Sequence, residues 1–485
     1  MFVCEVGTPS PAGIAPGGVP RPGLERMIVR SPAARRRRPA IDARPATAHR
    51  AAVPARRPLR TTTLATTLAA LSACAGLDPL TVAESERLDT FDFYWQALRD
   101  DYPLFGQQPV DWNELRQRYR AAVPFARSPH EFYHLLTGML SELGDPHVSL
   151  EVPDERFAAD GIAPTSLLDL PDFELMPIEG RMHVVGWPAH RAPTVPEGMP
   201  ERSYPELWRV EGFPVVLPLV GNLLLGPPSS PVELQLRWQN GVITRHVVAR
   251  PVRGTRQRRT PLAHLASQGP QVQLLRSEPF TWLALDRLSS DVKLDDLDRA
   301  IDRARETDGL VLDLRRNLGG LFLVAKHLVE RFLPHTVETV LAPPHPTSTW
   351  FGLFEVEVFL RNVWEPRAPR FDKPLVVLTS AQTGSSAEHT ARMLQRYCGA
   401  VVVGERTIGA EAVVQVADGP DGGQLRFGST RVLDRTGVGL QQDGVAPDIS
   451  VRLTLADVER LGPQAAVADW ERRLLAAAQR CMRQR

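Results

Sequence analysis

Thr379-Ser380-Ala381-Gln382-Thr383-Gly384-Ser385-Ser386-Ala387-Glu388 stands between the apolar run Pro374-Leu375-Val376-Val377-Leu378 and a stretch whose Ala387, Met393, Leu394 and Tyr397 suit a helix. A short continuous apolar run is what a strand buried on both faces requires. Beyond the helix comes Ala400-Val401-Val402-Val403, a second such run, closed by Gly404. Strand, helix and strand in this order predict an α/β fold with parallel strands. Ser385 then falls near the helix start, where unpaired amides and the positive end of the helix dipole favour negative charge on a nearby oxygen. Two uses fit a serine there. Its hydroxyl can cap the helix, or it can act as a nucleophile whose acyl-transfer oxyanion the amides stabilise.

The chain has 485 residues, 43% of them apolar, and a formal net charge of +1, enough for two or three domains with real cores. That balance leaves no global basic field for nucleic acid. Charge is concentrated early, in Arg35-Arg36-Arg37-Arg38, Arg56-Arg57 and Arg60 among Pro and Ala, a composition that cannot bury a core. Thr61–Ala73 follows as an apolar, small-residue run with arginines before it, the form of a secretory signal and too short to span a bilayer. Residues 1–73 are therefore expected to be a disordered leader plus signal peptide. Leu71-Ser72-Ala73-Cys74 resembles a bacterial lipobox, which implies lipidation of Cys74, export across the inner membrane and an envelope protein facing the periplasm. Cys4 would be lost with the leader, while Cys398 and Cys481 could pair or stay free.

Residues 74–160 read as a helical domain. Leu88, Phe91, Trp95, Leu98 and Tyr102 recur at helical steps, and Leu115 with Tyr119 marks a second helix. A third starts at Ser128-Pro129-His130-Glu131, with a capping serine, proline at the first position and glutamate at the third. Gly144 ends it, leaving Asp145-Pro146-His147 on a tight loop before the alternating strand Val148–Val152. His147 is thus held between structured elements, although a loop histidine is more often a hydrogen-bonded bystander than a catalyst. Residues 161–254 turn to strands, with Asn240-Gly241 as a hairpin signal between Val232–Trp238 and Val242–Val248. Arg209-Val210-Glu211-Gly212-Phe213-Pro214-Val215 ahead of that hairpin resembles a degenerate PDZ module, which implies either peptide capture or a domain that only spaces the core. Arg253–Arg259 reads as a solvated basic linker.

A second buried-strand pattern, Leu310–Leu314, breaks at Gly319-Gly320 before the helix-like Phe322–Phe332. Ends of parallel strands share one sheet edge, so Gly319, Gly320 and Ser385 could face a common crevice if their strands are neighbours. A plain glycine turn explains that segment equally well.

Four motifs then occur in a telling order: Asp313-Leu314-Arg315-Arg316-Asn317-Leu318-Gly319-Gly320, Thr383-Gly384-Ser385-Ser386-Ala387-Glu388, Gly404-Glu405-Arg406-Thr407-Ile408-Gly409 and Gly444-Val445-Ala446-Pro447-Asp448. Over roughly residues 85–455 the chain resembles the C-terminal processing (tail-specific) serine peptidases, and Leu143-Gly144-Asp145-Pro146-His147 is similar to the branch of tricorn core proteases and interphotoreceptor retinoid-binding proteins. The resemblance implies an α/β, crotonase-like core of ββα units at residues 255–470, followed by a C-terminal helix or tail at 471–485. It implies Ser385 as nucleophile, with the amide of Ser386 and an amide at Gly319 or Gly320 as oxyanion donors. Dyad members of the family use a lysine where this chain has Ala410, and Arg406 nearby stays protonated and cannot accept a proton. The tricorn-like branch uses histidine, which here is His147. Two departures stand out: Pro146 replaces the serine before that histidine, and Gln441-Gln442-Asp443 replaces the usual glutamate. Asp443, Gln441 or Asp145 could orient the imidazole. The expected function is a serine endopeptidase acting on peptide or protein substrates; the alternative is an inactive relative that binds a peptide or apolar ligand. No metal-ligand spacing or phosphate-binding glycine loop appears in the sequence, so no cofactor is expected.

Overall fold

The computed structural model describes residues 79–484 apart from 104, 106–109, 154–155, 157–173, 188–191, 201, 217–222, 225–229, 250–271, 278, 343–346, 351–353, 358–359, 411 and 434–443, together with Phe2–Val3 and Ile28–Val29. Cys74, Gln441 and Asp443 lie outside the described residues. Among the described residues no helix is long and apolar enough to cross a membrane.

The chain opens with helices α1 (Pro79–Asp101), α2 (Trp112–Arg120) and α3 (Pro129–Ser141), then strand β1 (Ser149–Glu151). α3 begins as its sequence requires: the Ser128 hydroxyl accepts the Glu131 amide at 3.2 Å, and Glu131 reaches back to the Arg127 amide at 2.6 Å. The apolar stripes of the three helices, from Phe91, Leu98, Leu115 and Leu136 among others, close one core. That core continues into Leu425 and Phe427 of a distant strand, so the helical domain is not packed on its own.

Next come β2 (Glu174–Ile178), β3 (Arg181–Gly186), β4 (Glu206–Val210), β5 (Pro231–Arg237) and β6 (Ile243–Ala249), antiparallel in that order. The Asn240-Gly241 signal is met by a hairpin in which Gly241 has φ 81° and Trp238 donates to Val242.

The core follows with β7 (Val272–Ser277), β8 (Phe280–Leu285), α4 (Leu294–Ala304), β9 (Leu310–Asp313), α5 (Phe322–Glu330), β10 (Val337–Ala342) and β11 (Leu360–Trp364). It continues through β12 (Leu375–Thr379), α6 (Ser386–Tyr397), β13 (Val401–Gly404), β14 (Val413–Asp418), β15 (Gln424–Leu433), β16 (Ile449–Ser450), α7 (Leu455–Leu461) and α8 (Pro463–Arg483). The main sheet runs β7-β8-β9-β12-β13-β16, antiparallel at its first pair and parallel thereafter. β9 and β12 are direct neighbours, with Leu312 opposite Val377. Their apolar residues are fully buried because helices cover both faces: Leu312 and Val377 pack toward α5 and α6, Val311 and Val376 toward α8. α8 runs unbroken through residue 470, where the tail was expected to begin, and it belongs to the core layer. Cys398 packs with the first of these clusters and Cys481 within the second, on opposite sides of the sheet, so the two are not joined in a disulfide; burial pushes the Cys398 thiol up to about 12.

A second sheet, β11-β10-β15-β14, carries β1 on the other margin of β15, where Leu150 faces Leu425. The hairpin Thr347–Trp350 and Phe354–Glu357 pairs with Ile28–Val29, which in turn pairs with Phe2–Val3.

Candidate active site

Because β9 and β12 are adjacent and parallel, the turns after them meet at the same sheet edge. A carbon added to Gly319 would lie 2.6 Å from the Ser385 Cβ and 3.1 Å from the Ser386 nitrogen, so the glycine turn and the serine are in contact and only glycine fits. Gly319 has φ 104° and Gly320 φ 138°, conformations open to glycine alone. Hydrogen bonds lock the two turns: Asn317, fully buried, accepts the Gly319 amide on Oδ1 at 2.9 Å, donates to Leu285 O, and takes the Gly384 amide on its carbonyl. Ser386 Oγ donates to Gly320 O at 2.8 Å. Asp313 and Arg315, both buried, form a bidentate pair that fixes the end of β9, and Ser380 Oγ donates to the Arg315 carbonyl.

Ser385 is a non-glycine residue at φ 53° and ψ −127°, a strained backbone typical of a serine presented at a sharp strand-to-helix turn. Ser385 and Glu388 form a reciprocal capping box, in which the Ser385 side chain accepts the Glu388 amide and the Glu388 side chain accepts the Ser385 amide. Glu388 Oε2 accepts the Ser385 amide at 2.9 Å. Glu388 is fully buried and also receives the Ala410 amide at 2.7 Å on the same oxygen, and the Gly409 amide and Thr407 hydroxyl on Oε1 at 2.7 and 2.5 Å. Thr407 Oγ1 in turn takes the Val445 amide at 2.6 Å. Three of the sequence motifs are thus knitted around one carboxylate, and Ala410, standing where a dyad lysine would be, shares it with the Ser385 amide. Glu388 and Asn317 lie inside two of the four motifs, and the sequence signal for the first is a glutamate three residues after a serine at a helix start.

His147 follows α3 on the turn that leads into β1. A carbon on Gly428 of β15 would lie 3.6 Å from His147 Nδ1 and 2.7 Å from the Ala412 Cβ, so the imidazole rests across the glycine, beside the segment that leads to Ala410. Asp145, buried, accepts the His147 amide on Oδ1 at 2.7 Å, and the same oxygen is 3.7 Å from Nδ1. That is an ionic contact rather than a hydrogen bond. Asp145 Oδ2 accepts the Tyr102 hydroxyl at 2.6 Å. Of the candidates for orienting the imidazole, Asp145 is therefore beside the ring, while Asp443 and Gln441 fall outside the described residues.

A cavity of about 930 Å³ opens next to the site, lined among others by Pro146, Glu179, Arg181, Arg406, Ile408 and Arg452. It reaches the neighbours of Ser385 and His147 rather than those residues themselves: Ile408 lies against Gly384 and donates its amide to Thr383 O at 3.0 Å. Charges cross it in pairs, with Arg452 bound to Glu179 at 2.9 Å and Arg237 to Glu206 at 2.7 Å. Glu405 stands behind it, its carboxyl pushed up by burial while it accepts the Leu453 and Ala381 amides.

Residues 285–451 match peptidase family S41, and residues 83–141 match the tricorn protease C1 domain. The chain is 26% identical over 391 residues to the chloroplastic C-terminal processing peptidase of Tetradesmus obliquus, covering 77% of this chain and 79% of that one. It is 24% identical over 404 residues to a carboxyl-terminal-processing protease of Synechocystis, covering 81% and 87%. Among solved structures, mature CPAF complexed with lactacystin superposes with a TM-score of 0.52 at 14% identity, over 83% of this chain and 100% of that one, a likeness of fold.

Proposed function

We propose that this chain, a serine-type hydrolase of peptidase family S41, cleaves internal peptide bonds through an acyl-enzyme on Ser385, with His147 as general base and Asp145 holding the imidazole. The observation that carries this reading is Ser385 itself: a strained residue at φ 53°, in contact with the Gly319 turn, whose amide is held by the buried Glu388.

In the first step Ser385 Oγ attacks the scissile carbonyl carbon and its proton passes to His147. The negative charge that forms on the carbonyl oxygen is met by the Ser386 amide and by the amide of Gly320. Gly320 is assigned in preference to Gly319, whose amide already donates to Asn317 at 2.9 Å. Removing one such donor typically costs about 10²- to 10³-fold in kcat. Collapse breaks the C–N bond, and the leaving amine takes the proton from the imidazolium. Water, deprotonated by His147, then attacks the ester carbonyl; the carboxylic product departs and Ser385 regains its proton.

The cavity favours a peptide over an apolar ligand. Arg181, Glu179, Glu206, Arg237, Arg406 and Arg452 line it, a poor wall for a purely hydrocarbon guest and a serviceable one for amides and charged ends. The β domain contributes most of that wall, and we assign it a recruiting role rather than that of a spacer. We place the protein in the bacterial envelope, anchored through Cys74, on the signal-like run and the Leu71-Ser72-Ala73-Cys74 ending. Radiolabelled fatty acid should enter the parent and vanish in Cys74→Ala. For the chemistry, a fluorophosphonate probe should label the parent and fail on Ser385→Ala; equal labelling of both would refute the acyl-enzyme.

A further inference from the structure

Antiparallel pairing sets Val414 opposite Gly428, Val416 opposite Arg426, and Arg426 opposite Ser149. Directly paired residues project from the same face of a sheet, and residues alternate along each strand. Val414, Val416, Gly428 and Ser149 therefore share a face, and His147 lies on it, since its ring is the atom group met by a carbon on Gly428 at 3.6 Å. The opposite face is spoken for: Gln415 Nε2 donates to Asp101 Oδ2 at 2.7 Å, and Ala417 packs on the helical core. The open face of such a sheet is ordinarily polar. Here Val414 is 43% and Val416 41% exposed, two apolar side chains in solvent beside the proposed base.

We propose that Val414 and Val416 form an apolar subsite for the residues that follow the scissile bond of an extended peptide substrate. The inference rests on His147 as the base of the acyl-enzyme mechanism. When the C–N bond breaks, the departing amine must take its proton from His147, so the peptide on the leaving side passes that imidazole and is delivered to the face it occupies. Two valines two positions apart on a strand are separated by about 7 Å, the spacing of alternate side chains in an extended peptide. Both partners are thus in register, and apolar side chains at alternate leaving-side positions cover the valines. Arg426, exposed and bound to Glu151 at 3.2 Å, stands directly across from Val416 on the same face, so the subsite is bordered there by a charged pair.

The test uses the purified full-length protein and peptides of one sequence up to the cleavage point, with Leu, Glu or Lys at the first and third positions after it. The parent should favour Leu over Glu by roughly tenfold in kcat/KM, the order expected of an apolar pocket. Val416→Lys should move the preference toward Glu, and Val416→Glu toward Lys. Opposite shifts from two variants at one position cannot come from damage to the fold. A parent indifferent to these residues, or two variants that slow all peptides alike, would overturn the subsite. Labelling of parent Ser385 by a fluorophosphonate, which brings no leaving peptide, separates the two readings: labelling with unmoved preferences sinks the subsite alone, and no labelling sinks both.

Discussion

Replacing Asp145 by asparagine isolates one charge and nearly preserves its shape. The carboxylate is buried, 3.7 Å from His147 Nδ1, with its second oxygen held by Tyr102. Once His147 takes the Ser385 proton, the imidazolium faces a full negative charge that the neutral imidazole of the resting enzyme does not need. At about 4 Å and an effective dielectric near 20 that attraction is about 4 kcal/mol. Each 1.4 kcal/mol is a factor of about ten, so Asp145→Asn should lower kcat by about three orders of magnitude. KM should change little, because the interaction is made in the transition state and not with bound substrate. The assay is steady-state hydrolysis of a fluorogenic peptide, with thermal unfolding run alongside to show that the fold is intact. Tyr102→Phe removes only the bond to Oδ2 and should cost about tenfold. If Asp145→Asn keeps kcat within tenfold of the parent while His147→Ala abolishes turnover, the carboxylate is not the partner of the imidazolium, and Asp443 or Gln441 takes that place.

Glu388→Gln turns an amide group toward two of the donors now bound to a carboxylate, and losing two charge-assisted bonds should destabilise the core by about 3–6 kcal/mol; a melting temperature equal to the parent's would show that the cap is dispensable. Gly319→Ala forces a methyl to within 2.6 Å of the Ser385 Cβ at φ 104°, so fluorophosphonate labelling should fall by at least 10²-fold even in whatever fraction folds. Unchanged labelling would separate the glycine turn from the nucleophile. In the β domain, His183 is buried with Nδ1 bonded to Tyr204 O at 2.9 Å, and burial lowers its pKa from 6.5. The unfolded chain then binds the proton more readily, so stability is full above 6.5 and declines as pH falls below it. His183→Asn, which keeps a donor for Tyr204 O, should flatten that acid slope in urea titrations between pH 7 and pH 5; an unaltered slope would assign it to other groups.

The sheet was legible in the sequence because its strands are buried on both faces: Leu310–Asp313, Leu375–Thr379 and Val401–Gly404 carry no polar alternation to confuse with a helix stripe. Turn chemistry was equally plain at Ser128 and Asn240-Gly241. What the sequence left open at Ser385 was whether its hydroxyl caps the helix or serves as a nucleophile. Ser385 and Glu388 do cap one another, and what sets the serine apart is its backbone at φ 53° against the Gly319 turn, a long-range contact that no local pattern announces. Asp145 was one of three candidate partners for His147 because a carboxylate two residues before a histidine is common in turns and says nothing about ring direction. That direction is set by Gly428, far along the chain, whose missing side chain makes room for the imidazole.

Placing the proposed base and the nucleophile on different structural units makes their alignment a packing problem. Two devices hold the helical domain to the β14–β15 ribbon. β1 pairs with β15 through Leu150 and Leu425, and Asp421, in the turn of the ribbon, accepts the Tyr94 hydroxyl at 2.6 Å and the Tyr133 hydroxyl at 2.5 Å. Both phenols are buried, and burial with the adjacent carboxylate raises their pKa, so they remain donors at any physiological pH. Leu425 and Phe427 lie on one face of β15, inside the helical core, while Gly428 turns the other way, under His147. The residues that bury the helices and the residue that seats the imidazole are therefore consecutive on one strand. A slip of β15 by a single residue would exchange its faces, exposing Phe427 and setting a side chain against the ring. Because the apolar core strongly resists that exchange, the helical domain cannot be folded on the ribbon in register and leave His147 unseated. The proposed base is then aligned by hydrophobic burial, and the proposal needs no lysine at position 410 to supply one from the core itself.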